Sequence, residues 1–500
     1  MKKITVIVTG FFLIISCSSS YKKDIRTAEY KYFNGFIDGA VSDISDKAKK
    51  EGKDQLLYLM EAGLMLHTNG EYERSNKALM LAAKIADNIP ISIHKQTASL
   101  LLNERSTNYR GEDFERVLIH MYLGINFLML EKPDEARVEF KQVTNFLSKI
   151  RSKGGRDYKQ NLMAKYLTAV AFEQIGDMEN DSNDLEYAYI EYKQILKLAP
   201  RLNMVKYDLV RLAKKLGYKS DYKSWKRRFG IRETKGLSDN SGEIIMIFQA
   251  GRSPIKDSRG KLLSDASMNG AVMASLNSMP LKAGISASIV LSALNNAENP
   301  IPKISNRSNK IDHLRLKIDG REIARTQVLE RVGSTLKKNL EEDYKRLYGK
   351  VAAGVVTKVA ASIAVKYASK EGFKHAGSFV ADNASCIGDL LEQFIPGGKH
   401  LGSCLNLGGK ALSSDAGSEI ASDVAAGGTA YGLLSEIQPD LRCWHTLPAN
   451  FQLAKAELNP GTHKVTIEFI DKTGDILRTK NETIKMKKGG KIFLNYRTLY

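Results

Sequence analysis

The 500-residue chain is short of cysteine. Only Cys17, Cys386, Cys404 and Cys443 occur, so no dense disulfide framework carries the fold. Acidic residues are scarce relative to basic ones, 56 Asp and Glu against 75 Lys and Arg, giving a formal charge of +19. Beyond the leader, no uninterrupted apolar run reaches the roughly 20 residues that a transmembrane helix needs. Catalytic signatures are also missing. There is no G-x-S-x-G elbow and no H-E-x-x-H helix, so neither a serine hydrolase nor a common zinc protease is indicated. Gly408-Gly409-Lys410-Ala411 has the end of a phosphate loop, but Cys404 stands where the first glycine belongs and Ala411 where a hydroxyl would hold magnesium. Ser220-Asp221-Tyr222-Lys223 has S-x-x-K spacing but lies in a polar stretch without partner motifs. His375, His400, His445 and His463 are dispersed. The sequence therefore points to no catalytic residue, no metal and no cofactor.

What is present begins with an address. Lys2 and Lys3 precede an apolar core from Ile4 to Ile15, too short to remain as a span, and Ile14-Ile15-Ser16-Cys17 closes it as a lipobox. Residues 1–16 are expected to be a lipoprotein signal peptide, with Cys17 acylated and 17–23 a tether containing Ser18, Ser19 and Ser20. Position 18 lacks the aspartate that commonly retains lipoproteins at the inner membrane, which favours the outer membrane and its periplasmic face. Removing Lys2 and Lys3 from the +19 leaves +17, a surplus that attracts polyanions or anionic lipid. The basic residues are scattered and export leads away from the genome, so no nucleic acid is implied. Cys386, Cys404 and Cys443 then remain; a Cys386–Cys404 disulfide across a Gly-rich turn and three buried thiols are both open readings.

With 43% hydrophobic and 26% charged residues, the remainder is an ordinary globular chain of two or three domains. Residues 24–218 repeat apolar positions at helical spacing, with glycines between the runs. Leu56 to Leu66 carries the small pair Ala62 and Gly63, Asn69-Gly70-Glu71-Tyr72 turns the chain, and Ala78, Leu79, Ala82 and Ala83 give a packed face to a second helix. Tyr122-Leu123-Gly124-Ile125-Asn126-Phe127-Leu128 followed by Lys132-Pro133-Asp134-Glu135-Ala136 is a second copy, and residues 164–200 make a third. The pattern resembles degenerate tetratricopeptide repeats, with Gly63, Tyr72, Tyr122 and Gly124 as packing residues; a plain helical bundle is the alternative.

Residues 219–240 read as a polar linker. A β-domain follows, in two parts, 241–322 and 438–500, expected to form a small β-sandwich. Its strands are read at Glu243–Phe248, Ser286–Leu291, His313–Ile318, Phe451–Leu458, His463–Ile470 and Lys491–Tyr496. Between the parts lies a helical, Ala/Gly-rich insertion, 323–437. Lys358 and Lys366 interrupt its most apolar stretch, so packed helices suit it better than a membrane span. The fold class expected is α+β: an all-α solenoid, then a β-sandwich carrying a helical insertion.

Taken in this order, the chain resembles a family of Gram-negative lipoproteins that join a tetratricopeptide-like half to a β-rich domain. The resemblance rests on Tyr122 to Phe127 with Asp134 to Glu139, on Gly242-Glu243 with Gly251-Arg252-Ser253-Pro254-Ile255-Lys256, and on Asp440-Leu441-Arg442-Cys443-Trp444-His445-Thr446-Leu447-Pro448. Family members encoded beside outer-membrane activators of penicillin-binding proteins imply a connection to cell-wall synthesis. In the last segment, Asp440 and Arg442 can pair with each other or elsewhere, Trp444 is expected to seal the insertion against the sandwich, and Leu447-Pro448 to lead into the next strand. A ligand-facing Arg442 and Trp444 is the functional alternative. Two functions from different classes follow: a membrane-anchored scaffold whose repeats bind envelope proteins, or an enzyme or binding module for peptidoglycan or another glycan, which would need paired carboxylates in a cleft.

Overall fold

The computed structural model describes residues 21–89, 107–152, 161–231, 241–277, 287–337 and 437–500, with parts of 348–382 and 410–435. Cys17, Cys386 and Cys404 lie outside the described residues, while Cys443 is a buried free thiol. The N-terminal half forms five helix pairs: α1 (Tyr21–Phe33) with α2 (Ile37–Lys49), α3 (Gln55–Thr68) with α4 (Tyr72–Asp87), α5 (Asp113–Met129) with α6 (Pro133–Ser152), α7 (Leu162–Glu179) with α8 (Ser182–Leu198), and α9 (Asn203–Lys215) with α10 (Lys219–Phe229). Every pair turns through one residue of positive φ, placed two positions before the second helix: Gly35, Gly70, Glu131, Asn180 and Gly217. The turns lie 35 residues apart in the first two pairs and 37 in the last two, but 61 and 49 apart in between. Extra residues at 90–106 and 153–160 therefore hide a repeat close to the tetratricopeptide period. The first eleven residues of the expected linker are α10, because Tyr218, Tyr222, Trp225 and Phe229 recur at helical spacing and pack on the preceding helices.

Glycine sets the helix spacing in two pairs. A Cβ on Gly63 would lie 2.5 Å from Leu79, and one on Gly124 would lie 2.4 Å from the Phe140 ring. Gly63 and Gly124 stand seven residues before their turns, Leu79 and Phe140 nine after, so the same contact recurs. The second helices are one-sided, α4 burying Leu79, Ala82, Ala83 and Ala86. The first helices are not: α3 is buried from Leu56 to His67 and α5 from Phe114 to Asn126. A helix buried all round needs a second neighbour.

That neighbour is a β-sheet. Strands β1 (Gly242–Ala250), β2 (Ile255–Asp257), β3 (Lys303–Ser305), β4 (Ile311–Ile318), β5 (Arg321–Arg325), β6 (Gln327–Arg331), β7 (Asn450–Leu458), β8 (Gly461–Asp471), β9 (Ile476–Met486) and β10 (Lys491–Arg497) form two four-stranded sheets, ordered β10-β1-β7-β6 and β5-β4-β8-β9, plus the ribbon β2-β3. β1 pairs β10 in parallel and β7 antiparallel, Glu243 facing both Lys491 and Glu457. Alternation then sends Ile244, Met246, Phe248, Ala454, Ala456 and Leu494 toward Leu314, Leu316, Val465, Ile467 and Phe469 of the second sheet, closing the sandwich core. The odd positions, Ile245, Ile247, Phe451 and Leu453, join the helical core. The first sheet is therefore the middle layer between helices and second sheet, which is why β1 reads as a nearly continuous apolar run.

Three strand readings need correction. Residues 287–291 belong to α12 (Ala287–Asn296), since a short apolar run does not reveal its period. β9 went unread because only Ile484 and Met486 along it are buried. Strands β5 and β6 continue to Arg331, past the expected start of the insertion at residue 323. Two inserted stretches, α11 (Ala266–Asn277) with α12, and the helical residues from 348 to α13 (Asp415–Ser435), share a separate core of Met268, Val272, Leu294, Val355, Val359 and Leu434. Among the described residues, no helix is long and apolar enough to cross a membrane.

Candidate functional site

In a tetratricopeptide-like array the first helices line the face available to an extended ligand. Here that face grips the chain's own residues 440–447. Glu115 on α5 accepts the Trp444 amide at 2.7 Å with one oxygen, and the Glu112 amide at 2.9 Å and the Tyr109 hydroxyl with the other. Glu61 on α3 accepts the His445 amide at 2.6 Å, the Thr446 amide at 3.1 Å and the Thr446 hydroxyl at 2.6 Å. Two carboxylates thus hold three successive backbone amides, satisfying donors that no strand pairs. Burial, reinforced by Glu112, pushes Glu115 up to about 7, and burial also raises Glu61. Arg442 anchors one end. It pairs with Asp440 through Nη2 at 2.7 Å, with Asp54 through Nη1 at 2.8 Å, and donates to the Thr107 carbonyl. Arg307 clamps the other end, bridging Glu29 on α1 at 2.6 Å and the carbonyl oxygens of Ser253 and His445.

A chain of neutral polar groups continues from helices to sheet. Tyr122 donates to Oε1 of Gln249 at 2.8 Å, and Nε2 of Gln249 donates to Nε2 of His67 at 2.6 Å. That nitrogen must accept, so the proton sits on Nδ1 and is given to Oδ1 of Asn126 at 2.5 Å. Asn126 then donates to Ser75 and Asn76 on α4. Burial lowers His67 to about 4, keeping the ring neutral as this relay requires.

Beyond Tyr122 the interface is ionic. Glu173 on α7, Asp208 and Arg211 on α9, Glu243 on β1, Lys455 on β7 and Lys491 on β10 set three acids against three bases. Arg211 grips Glu173 with two 2.7 Å bonds. Lys455 lies 2.7 Å from both Asp208 and Glu243, and Lys491 lies 2.6 Å from Glu173 and 2.5 Å from Glu243. Tyr166 adds a hydroxyl to Asp208. Burial would raise the Glu173 carboxyl, yet Arg211, Lys455 and Lys491 hold it well below the usual range.

The sequence-derived residues fall as follows. Gly63 and Gly124 sit in the helix-pair contacts. Tyr72 is half-buried, its ring 5.6 Å from His67 and its hydroxyl near Asn495. Tyr122 faces the sheet and the preceding pair, its ring 5.7 Å from both Trp444 and Phe451 and 4.9 Å from His67. Asp440 and Arg442 pair, and Arg442 also reaches Asp54. Trp444 seals helices against sheet, not the insertion against the sandwich, because its backbone is hooked by Glu115 and its ring lies on Tyr122. Pro448 is buried just before β7, and the Leu447 carbonyl accepts the Ser253 amide. The three stretches that carried the family resemblance thus converge: Tyr122, Glu243 and Lys256, which pairs with Glu112, all lie on this joint with residues 440–447. Glu61, Glu115, Glu173, His67, Lys455 and Lys491 were not foreseen. Glutamates inside otherwise apolar helical runs, at Glu61 and Glu173, were the one available signal.

Among the described residues no group of three or more His, Cys, Asp and Glu side chains is arranged to hold a metal. The paired carboxylates at this joint are buried and already engaged by amides and cations, so they are not the open acidic cleft that glycan hydrolysis requires. No family model matches the chain, and no curated protein matches its sequence. Solved structures similar to it include the kinesin light chain TPR-like repeats of Podosopora anserina, at 14% identity over 41% of this chain and 91% of that one, with TM-score 0.29. MamA of Desulfovibrio magneticus RS-1 is similar at 16% identity over 43% and 94%, with TM-score 0.29. A tetratricopeptide repeat protein of Parabacteroides merdae is similar at 14% identity over 44% and 82%, with TM-score 0.20. By its own turns and pairings, the N-terminal half is a tetratricopeptide-like array packed on a β-sandwich.

Proposed function

We propose that this protein is an envelope lipoprotein, tethered through acylated Cys17 to the periplasmic face of the outer membrane, and that it acts there as a scaffold or accessory factor for other envelope proteins in wall or envelope assembly. Its partner surface is the outer face of the second helices, since the inner face is filled by the β-domain. The observation that supports this is a set of apolar side chains held in water at matching repeat positions. Met80 and Ile190, each ten residues past its turn, are 53% and 44% exposed, and Val138 and Tyr187, each seven past, are 52% and 54% exposed. A rigid stack presents such side chains without an ordering cost on binding. Photo-crosslinking residues placed in living cells at 80, 138, 187 and 190 are expected to capture one envelope protein in common, while the buried position 122 captures none. Capture of unrelated proteins from every position would overturn the reading. The tether is tested separately: Cys17→Ser should abolish acylation and leave uncleaved precursor, and a normally processed, membrane-extracted product would refute it.

A further inference from the structure

We propose that α10, the last helix of the array, is a docking face for an anionic lipid bilayer. Its sequence, Lys219 to Phe229, holds five cations, Lys219, Lys223, Lys226, Arg227 and Arg228, and one acid, Asp221. Asp221 is occupied, accepting the Tyr189 hydroxyl at 2.6 Å and lying 3.9 Å from Lys193. At 100° per residue, Tyr218, Tyr222, Trp225 and Phe229 share one stripe, and Lys219, Lys223, Lys226 and Arg227 share another about a third of a turn away. The aromatic stripe packs on the array, Trp225 donating to the Tyr189 hydroxyl at 2.7 Å and stacking on Phe229 at 5.2 Å between ring centroids.

The cationic stripe meets no acid among the described residues. Lys219, Lys223 and Arg227 are exposed, and none of the five cations has an ion-pair partner there. Two stack on rings instead, Lys226 over Tyr222 at 5.4 Å and Arg228 over Trp225 at 5.3 Å. No residue of α10 is fully buried, although it ends a stack whose other helices all contribute to the core. Charges of one sign spread along a helix, without a pocket or a fixed acceptor, suit a plane of many mobile negative headgroups. The partly exposed Trp225 and Tyr222 beside them have the amphipathic character favoured at headgroup depth. The choice of a bilayer over an acidic protein rests on the tethered reading above, which keeps a membrane within reach.

The test is vesicle co-sedimentation of residues 18–500, expressed without the leader and Cys17 so that neither acylation nor the apolar leader contributes, with phosphatidylcholine vesicles and with vesicles containing one-third phosphatidylglycerol. Binding to anionic vesicles should exceed binding to neutral ones by about a hundredfold at 0.1 M salt and fall toward the neutral value at 0.5 M. The variant Lys219→Glu, Lys223→Glu, Lys226→Glu, Arg227→Glu should lose that difference while keeping the wild-type melting transition. A melt shift would be answered by Lys219→Gln with Lys223→Gln, which should reduce the preference about tenfold. An anionic preference unchanged in the variants, or none in the wild type, overturns the proposal. So does a variant that binds vesicles normally but loses an acidic protein from pull-downs of intact envelopes. Failure of Cys17 acylation in cells, with the vesicle preference intact, would remove the tether and leave α10 standing.

Discussion

Gly124 and Gly63 do the same work against different neighbours. The Cβ of an alanine at 124 would press on the rigid Phe140 ring, whereas at 63 it would meet the end of the Leu79 side chain, which can swing away. Gly124→Ala is therefore expected to lower stability by about 1–3 kcal/mol and Gly63→Ala by less, as read by urea denaturation. Gly124→Ala combined with Phe140→Leu should recover part of the loss; equal losses at both glycines would contradict the packing. His67 gives a pH signature. Its folded value of about 4 lies below the usual 6.5 because the ring is buried. A depressed folded value means that the unfolded chain takes up the proton first. Stability is thus unaffected above about pH 6.5 and falls as pH drops toward 4, by about 3 kcal/mol in total from this group. His67→Gln should show a shallower decline than wild type over that window. Parallel curves would show that the ring is not held neutral by the Gln249 and Asn126 relay.

Between elements, the deciding feature is the set of ions joining α7 and α9 to β1, β7 and β10. Removing one partner of a buried pair strands the other, at about 3–5 kcal/mol, whereas a surface pair contributes at most about 1 kcal/mol. Lys455→Met should accordingly destabilise the whole protein by several kcal/mol, while Lys49→Met, which breaks only the exposed Lys49–Asp46 pair, should not shift the denaturation midpoint measurably. Similar small effects of both would show that the lattice is not holding the layers. This joint also marks how far the sequence could be read. Three of the five helix pairs and five of the ten strands were legible, because leucine and alanine periodicity and strand alternation follow from local geometry alone. The joint was not. Glu243, Lys455 and Lys491 occupy alternate strand positions that look solvent-facing when only one side of a sheet is assumed buried, and their partners lie hundreds of residues away in sequence. Trp444 was legible as a buried anchor, but its partner surface was not, because nothing local tells residues 440–447 which carboxylates will accept their amides.

At the scale of the whole molecule, helices and β-domain form one body with a shared core. Cleavage between residues 232 and 240 should therefore leave both pieces co-eluting on size exclusion, separating only when denaturant is added, where a loosely linked pair would part at once. Separation in native buffer would mean that the joint is weaker than its chemistry indicates. The order of strands carries one more implication. The middle layer begins with β1, yet β1 is completed on one side by β7 and on the other by β10, some 200 and 240 residues later. A chain emerging from its N-terminus finishes its helix pairs long before these strands exist. During that interval Glu61, Glu115 and Glu173 stand in water, fully ionised and harmless, while the apolar residues beside them have nothing to cover them. Closure then demands contacts of high sequence separation, the slowest kind to form. Assembly is thus timed by the last strand, and the nascent protein spends its youth as a half-open clasp that other chains must be kept away from.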